Sequence, residues 1–178
     1  MQGVKTFLLL IVTISFLLVG FGLPKNVEKK VRKELERTFQ IDGFTLVPLE
    51  LSDSLNAELP KQLTSQNFLR ISDGSEHLGY LFVDKALSKT AEFDYLIIFD
   101  IELKIVHSKV LIYREEYGGE IGSKRWLKQF IGKTGGDRVD HETNIDGIAG
   151  ATISVRSMTM AIDELLQTIG ILQENQVL

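Results

Sequence analysis

The chain has no cysteine among its 178 residues, only three prolines, and no strong excess of charge of either sign. The lack of cysteine excludes disulfides, thiol catalysis, a lipid-modified cysteine anchor, iron–sulfur clusters and cysteine-based zinc sites. The net charge of −4 gives no reason to expect nucleic acid as a partner. The length suits one domain with a sizeable core and a modest appendage.

Common metal-binding and phosphate-binding motifs are also missing. The three histidines (His77, His107 and His141) are isolated, and none stands at metal-ligand spacing from another. The glycine-lysine-threonine run at 132–134 resembles the end of a P-loop, but Leu127 occupies the position of its first glycine. No G-x-S-x-G elbow is present to supply a hydrolase nucleophile. We therefore expect no metal site and no catalytic residue of these classes.

The N-terminus carries a long uncharged apolar run from Thr6 to Leu23. As a helix rising about 1.5 Å per residue, this run would span roughly 27 Å, close to the hydrocarbon core of a bilayer. We expect residues 1–24 to be a membrane anchor or signal, and favour an uncleaved anchor because no A-x-A cleavage pattern is present. The basic residues that follow, counted alone, would keep the rest of the chain in the cytoplasm.

Periodicity in the remaining chain predicts an α+β fold, with a twisted, mainly antiparallel sheet and flanking helices, preceded by one N-terminal transmembrane helix. Apolar residues recur every four positions across 26–39, which predicts an amphipathic helix. A short helix follows Ser123, and the last helix runs from about Ser154 to Ile169, with Gly170 as its stop. Aromatic and β-branched runs predict strands at 44–47, 68–71, 79–83, 93–99 and 104–113.

A run of small residues, DGIAGATIS at 146–154, leads into the last predicted helix. Glycine and alanine leave the backbone N–H groups accessible to a ligand. The first turn of a helix also has unpaired N–H groups and a dipole that favour an anion such as phosphate. From these features alone, a tight turn with a threonine or serine cap is the simpler interpretation.

The letters of this run resemble the flavinylation motif of the FMN-binding domain family, D-x-[IV]-S-G-A-T-x-[ST]. The family includes small FMN-bearing subunits of sodium-pumping NADH:quinone reductases and Rnf complexes, and free-standing membrane-anchored proteins. YREEYGGEI at 113–121 and RWLKQF at 125–130 are similar to the loop and short helix that these proteins carry upstream. The resemblance implies an FMN-binding domain at 78–170, preceded by an amphipathic helix and N-terminal extension at 25–77.

By this resemblance, Thr152 is esterified to the phosphate of FMN, so that the protein carries a phosphoester. A separate Mg-dependent flavin transferase that uses FAD adds the cofactor. Ser154 holds a phosphate oxygen or caps the helix, and Ala149 replaces the usual serine of the motif. Lys124, Arg125 or Arg156 would neutralise the phosphate. The positions that match the family's cofactor site are Thr152, Asp146, Gly150, Ala151 and Ser154, with Glu116, Gly118 and Gly119 near the isoalloxazine, although the E-T-P-G form of that loop is absent.

The resemblance implies an electron carrier that is anchored in the cytoplasmic (inner) membrane by a single pass, with its domain on the periplasmic or extracellular side. Its partners would be redox proteins in or at the membrane. Two alternatives remain at this stage. One is a flavin-dependent reductase of a small acceptor, and the other is a membrane-tethered interaction module that has lost the flavin. No residue in the sequence stands out as a substrate acid or base, which favours the carrier.

Overall fold

The structure, a computed structural model, describes residues 23–178. The predicted anchor at 1–24 lies almost wholly outside the described residues. Within 23–178, no helix is both long and apolar enough to cross a bilayer. The elements are α1 (Lys25–Phe39), β1 (Thr45–Pro48), α2 (Asp53–Glu58), β2 (Phe68–Asp73), β3 (Glu76–Leu87), β4 (Glu92–Phe99), β5 (Ile105–Ile112), α3 (Lys124–Leu127) and α4 (Thr152–Glu174), with short 3₁₀ turns at Gly119–Gly122 and Lys128–Phe130.

The five strands form one antiparallel sheet in the order β1-β2-β3-β4-β5, so each strand pairs with the next along the chain. Strand β4 is buried from Phe93 to Phe99, and its aromatic and β-branched residues favour a strand covered on both faces. The predicted α+β class, with a mainly antiparallel sheet and flanking helices, is confirmed. Strands β1 and β2 lie within the predicted extension at 25–77, and the predicted boundary at residue 78 falls inside β3.

Helix α1 covers one face of the sheet through Val27, Val31 and Leu35, which are almost fully buried. These are the four-residue spacings that predicted an amphipathic helix. Each such burial stabilises the fold by roughly 1.5–3 kcal/mol. The apolar side of α1 therefore holds this helix firmly against the sheet.

Helix α4 covers the opposite face. Side chains alternate along a strand, and in β4 the residues Tyr95 and Ile97 belong to the apolar cluster under α4, whereas Leu96 and Ile98 belong to the cluster under α1. The sheet therefore separates α1 from α4 and from the short helix α3, whose Trp126 lies in the α4 cluster.

Two details of α4 differ from the prediction. The helix begins at Thr152, two positions before the predicted start, and it continues through Gly170 to Glu174. Gly170 is needed for close packing and does not stop the helix. A Cβ atom on Gly170 would lie 2.7 Å from the carbonyl oxygen of Gly135, and one on Gly135 would lie 2.6 Å from the nitrogen of Gly170. The predicted stop was wrong because a contact from elsewhere in the chain requires this glycine.

Candidate functional site

The turn before α4 depends on Gly150. The amide of Ala151 donates to the carbonyl of Ile148 at 3.0 Å, and Gly150 adopts a φ of +82°. No atom lies within 4 Å of the position that a Cβ on Gly150 would occupy. The glycine is therefore required by its backbone conformation and not by lack of space.

The N-terminus of α4 has no side-chain cap among the described residues. Ala151 occupies the cap position and Thr152 is the first helical residue. The first intrahelical bond runs from the amide of Val155 to the carbonyl of Ala151 at 2.9 Å. The prediction that a threonine or serine caps the helix is therefore wrong. The amides of the first three helical residues have no intrahelical partner, and they lie at the positive end of the helix dipole. This arrangement favours an anion.

Thr152 and Ile153 are exposed at this end, but Ser154 points inward. Ser154 is only 2% exposed, and its Oγ lies 3.2 Å from the hydroxyl of Tyr113. Of the two hydroxyls in the motif, only that of Thr152 faces the solvent. The predicted alternatives for Ser154, a helix cap or a phosphate ligand, find no support in this inward position.

Helix α3 and the turn after it hold the start of the motif. The indole Nε1–H of Trp126 donates to the carbonyl of Asp146 at 2.7 Å, and the amide of Asp146 donates to Oε1 of Gln129 at 2.8 Å. Trp126 is itself packed edge-to-face on Phe130, with ring centroids 5.1 Å apart. The short helix singled out from the sequence thus fixes the backbone of Asp146, whose side chain is left exposed.

The glycine-bearing loop after β5 packs directly on the motif. Gly118 is buried at a φ of +82°, and a Cβ there would lie 3.3 Å from the Cβ of Ala151 and 2.7 Å from the hydroxyl of Tyr113. Gly119 and Glu116 are exposed. The structure therefore packs Gly118 against Gly150 and Ala151 and leaves Glu116 and Gly119 exposed, and the predicted approach of these three residues to the isoalloxazine stays a prediction.

Glu115 ties this loop to the turn between β3 and β4. Its Oε1 accepts hydrogen bonds from the hydroxyl of Ser88 at 2.6 Å, from the amide of Thr90 at 2.6 Å and from the amide of Ala91 at 3.2 Å. These bonds, that from Ser88 first, lower the pKa of Glu115 from its ordinary value. Glu115 therefore stays ionised at neutral pH and positions Lys89, which lies in the same turn.

The motif, the loop after β5 and the turn between β3 and β4 together form an open cleft of about 220 Å³ around the first turn of α4. Lys89 is the basic residue of its lining, and no sequence motif points to it. Lys124 and Arg125 do not line this cleft, and Arg156 lines a neighbouring apolar groove. The cleft is lined by Lys89, Tyr113, Glu115, Gly150, Ala151, Thr152, Ile153 and Ser154.

The arrangement suits a phosphate group. An exposed hydroxyl, an uncapped helix N-terminus and a lysine converge on one small cleft, and each of them interacts favourably with a bound phosphoester. The volume is below the roughly 300–1,000 Å³ of most ligand pockets, so a bulky ligand held here would extend beyond the cleft. Within residues 23–178, no group of three or more histidine or carboxylate side chains is placed to hold a metal ion.

The site thus has the features that suit a phosphate-bearing ligand at the start of a long helix. Residues 91–167 match the FMN-binding domain family. The chain contains an FMN-binding domain, and FMN is its cofactor. The matched residues run from the start of β4 into α4 and include the loop, the short helix and the motif, which confirms the predicted resemblance over this range. No curated protein is significantly similar to the chain.

Proposed function

We propose that this protein is a membrane-anchored, extracytoplasmic electron carrier whose FMN is attached through its phosphate to the hydroxyl of Thr152. One observation carries the proposal. Thr152 presents the exposed hydroxyl of the motif at the uncapped N-terminus of α4, inside an FMN-binding domain. When bound, FMN supplies one- or two-electron transfer, while the protein supplies position and electrostatics.

Attachment at Thr152 would place the negative charge of the phosphodiester product where the site can stabilise it. A flavin transferase would join the hydroxyl oxygen of Thr152 to the FMN phosphorus of FAD, with loss of the hydroxyl proton and release of AMP as the pyrophosphate bond breaks. The resulting phosphodiester keeps one negative charge. The helix dipole stabilises such a charge by about 0.3–1 kcal/mol. Lys89, in the lining of the same cleft, adds a compensating cation.

The substitution of the usual motif serine by Ala149 is compatible with this attachment. Ala149 is exposed, so its methyl group is not part of the packing that shapes the cleft. A hydroxyl at this position would contribute on the order of 1 kcal/mol if it made a hydrogen bond. We therefore expect Ala149 to weaken modification less than a change at Thr152 or Asp146 would.

An electron carrier needs no substrate acid or base, and the carboxylate in the cleft lining is already engaged by hydrogen bonds. Glu115 is the carboxylate of the lining, and hydrogen bonds from Ser88 and Thr90 keep it ionised. A group of lowered pKa is a poor general acid near neutral pH. This observation favours electron relay over a reductase that protonates its own organic acceptor.

The location and the partners are part of the same proposal. Residues 1–24 would anchor the chain in the cytoplasmic membrane, with the domain on the periplasmic or extracellular side. A covalent tether is useful there because a dissociating cofactor would be lost to the surroundings. The partners would be the FAD-dependent flavin transferase, during maturation, and redox proteins in or at the membrane.

The test is the intact mass of the denatured full-length protein after co-expression with a flavin transferase. We expect one FMN less one water on the wild type and on the Thr143→Ala variant, and none on Thr152→Ala. Thr143 is a suitable control because it is exposed and lies outside the motif. A Thr152→Ala protein that keeps its flavin through denaturation would refute the attachment site.

A further inference from the structure

We infer that the outward face of α1 binds the anionic phospholipid headgroups of the membrane that holds the anchor, and that the FMN site consequently faces away from the bilayer. The inference rests on the proposed anchor and deepens the proposed function. It starts from four basic residues on the exposed side of α1, Lys25, Lys29, Lys33 and Arg37, which we call the basic stripe.

The basic stripe lies opposite the buried side of α1. Both the stripe and the buried residues Val27, Val31 and Leu35 recur every four positions. At about 100° per residue, the centres of the two sets are separated by about 180° around the helix axis. The cations of the stripe therefore point directly away from the sheet, at the outer surface of the domain.

The charge of this face is poorly compensated within the domain. The three glutamates of α1 are partly buried, so every fully exposed charged side chain of the helix is basic. Arg37 lies 3.8 Å from Glu34, which also pairs with His107 at 3.0 Å. Lys25, Lys29 and Lys33 form no ion pair with any residue between 23 and 178. An anionic surface is the complementary partner.

The position of the stripe in the chain identifies that surface as a lipid bilayer. Pro24 alone separates the uncharged run that ends at Leu23 from the first residue of α1. With φ −54° and ψ 138°, the backbone of Pro24 is extended and not helical, so α1 begins as a separate element at Lys25. An anchored chain therefore starts α1 at the headgroups and can turn it along the membrane plane. Clusters of lysine and arginine beside a membrane segment are attracted by anionic lipids.

The orientation of α1 decides where the flavin lies. If α1 lies flat on the membrane, the sheet stands between the bilayer and α4, because the two helices cover opposite faces. If α1 stands upright, the flavin lies near the headgroups. Lys30 donates to the carbonyl of Leu111 at 2.5 Å while Glu34 meets His107, so α1 runs antiparallel to β5. The start of α1 then shares an end of the sheet with Tyr113, which contacts Ser154 in the first turn of α4.

Quenching by lipids with a nitroxide on the headgroup distinguishes these orientations. The full-length flavinylated protein is reconstituted in vesicles of phosphatidylglycerol and phosphatidylcholine. Since the chain has no cysteine, a single Asp42→Cys substitution in the exposed turn after α1 takes one fluorescent label. A flat α1 predicts loss of most of the label fluorescence and no loss of flavin fluorescence. Two results would overturn the inference. One is quenching of the flavin, whether or not the label is also quenched, and the other is no quenching of either probe.

Charge reversal tests the role of the stripe. In the double variant Lys29→Glu, Lys33→Glu, we expect the label at position 42 to escape quenching. We expect the same escape when the basic stripe is unaltered but the vesicles contain phosphatidylcholine alone. The matched control is Lys104→Glu with Lys128→Glu, two exposed lysines outside α1, which should leave quenching unchanged. Quenching that persists after reversal of the stripe would overturn the inference. Circular dichroism of both pairs checks that they fold.

Failure of the proposed function is separately visible. A full-length protein with no FMN in its intact mass contradicts the attachment at Thr152. A label on Lys89→Cys in the cleft then replaces the flavin as the reporter of that side of the domain. Extraction of the membranes at high pH tests the anchor itself, independently of how the domain is oriented.

Discussion

Replacing Gly150 by alanine should destabilise the protein through backbone conformation alone. Gly150 has a φ of +82°, and its surroundings leave open space where a Cβ would project. The penalty for an L-residue in this region is roughly 1–2 kcal/mol. The free energy of unfolding should fall by that amount, which for a chain of this size lowers Tm by about 2–4 °C per kcal/mol.

Thermal unfolding of the full-length protein in detergent, followed by circular dichroism, measures this effect. Gly147→Ala is the matched control, because Gly147 has equally open space but no positive φ. It should be neutral or stabilising by up to about 1 kcal/mol, since alanine restricts the unfolded chain. Gly150→Asn should be less destabilised than Gly150→Ala, because asparagine tolerates the left-handed region.

Equal stability changes at Gly150 and Gly147 would refute this reasoning, as would an asparagine variant no better than the alanine variant. The same substitution also bears on modification. The turn at Gly150 sets the direction in which Thr152 leaves the motif, so we expect slower flavin attachment in Gly150→Ala than in Gly147→Ala. Intact mass, measured over the time course of a reaction with the transferase, provides the comparison.

Three further predictions concern other parts of the structure. Lys89→Ala should slow flavin attachment by about 1.4- to 5-fold, because an exposed ion pair contributes about 0.2–1 kcal/mol. Lys104→Ala should not slow it, and mass spectrometry over time measures both. Gly170→Ala should lower the free energy of unfolding by roughly 1–3 kcal/mol, because the new Cβ would meet the Gly135 carbonyl at 2.7 Å. The higher helix propensity of alanine acts in the opposite direction, and thermal unfolding shows which effect is larger. The lowered pKa of Glu115 means that its contribution is present above the unfolded pKa, near 4.5, and is lost as the pH falls through the lower folded pKa. The protection factor of the Thr90 amide, which corrects its exchange rate for the intrinsic rate at each pH, should therefore fall in acid, and this fall should vanish in Glu115→Gln.

Local patterns predicted most of the fold. The four-residue spacing of Val27, Val31 and Leu35 is a property of one helix, so the amphipathic helix α1 was predictable from the sequence. The alternating and aromatic runs of β3, β4 and β5 predicted the strands for the same reason. Gly170 is a position whose role a local pattern could not predict. Its role depends on Gly135, a backbone segment that only the tertiary fold places against α4.

In the site, too, residues of a local motif were predictable and residues brought in by the tertiary fold were not. Thr152 and Gly150 belong to a contiguous motif, so the sequence was sufficient to nominate both. Lys89 lies in a turn between two strands and reaches the cleft only because the bonds of Glu115 hold that turn to the loop after β5. The inward position of Ser154 depends on Tyr113, which is 41 residues away in the sequence. No local pattern encodes either contact.

The small size of the cleft and the proposed covalent bond are connected. Non-covalent affinity for a cofactor comes from buried surface, and pockets that hold drug-sized ligands usually enclose most of them. A cleft of about 220 Å³ can enclose the phosphate end of FMN but not the whole molecule. Without a covalent bond, such a cleft would lose its cofactor readily. With the bond at Thr152, retention no longer depends on enclosure, and the isoalloxazine remains accessible to the electron-transfer partners that the proposed function requires.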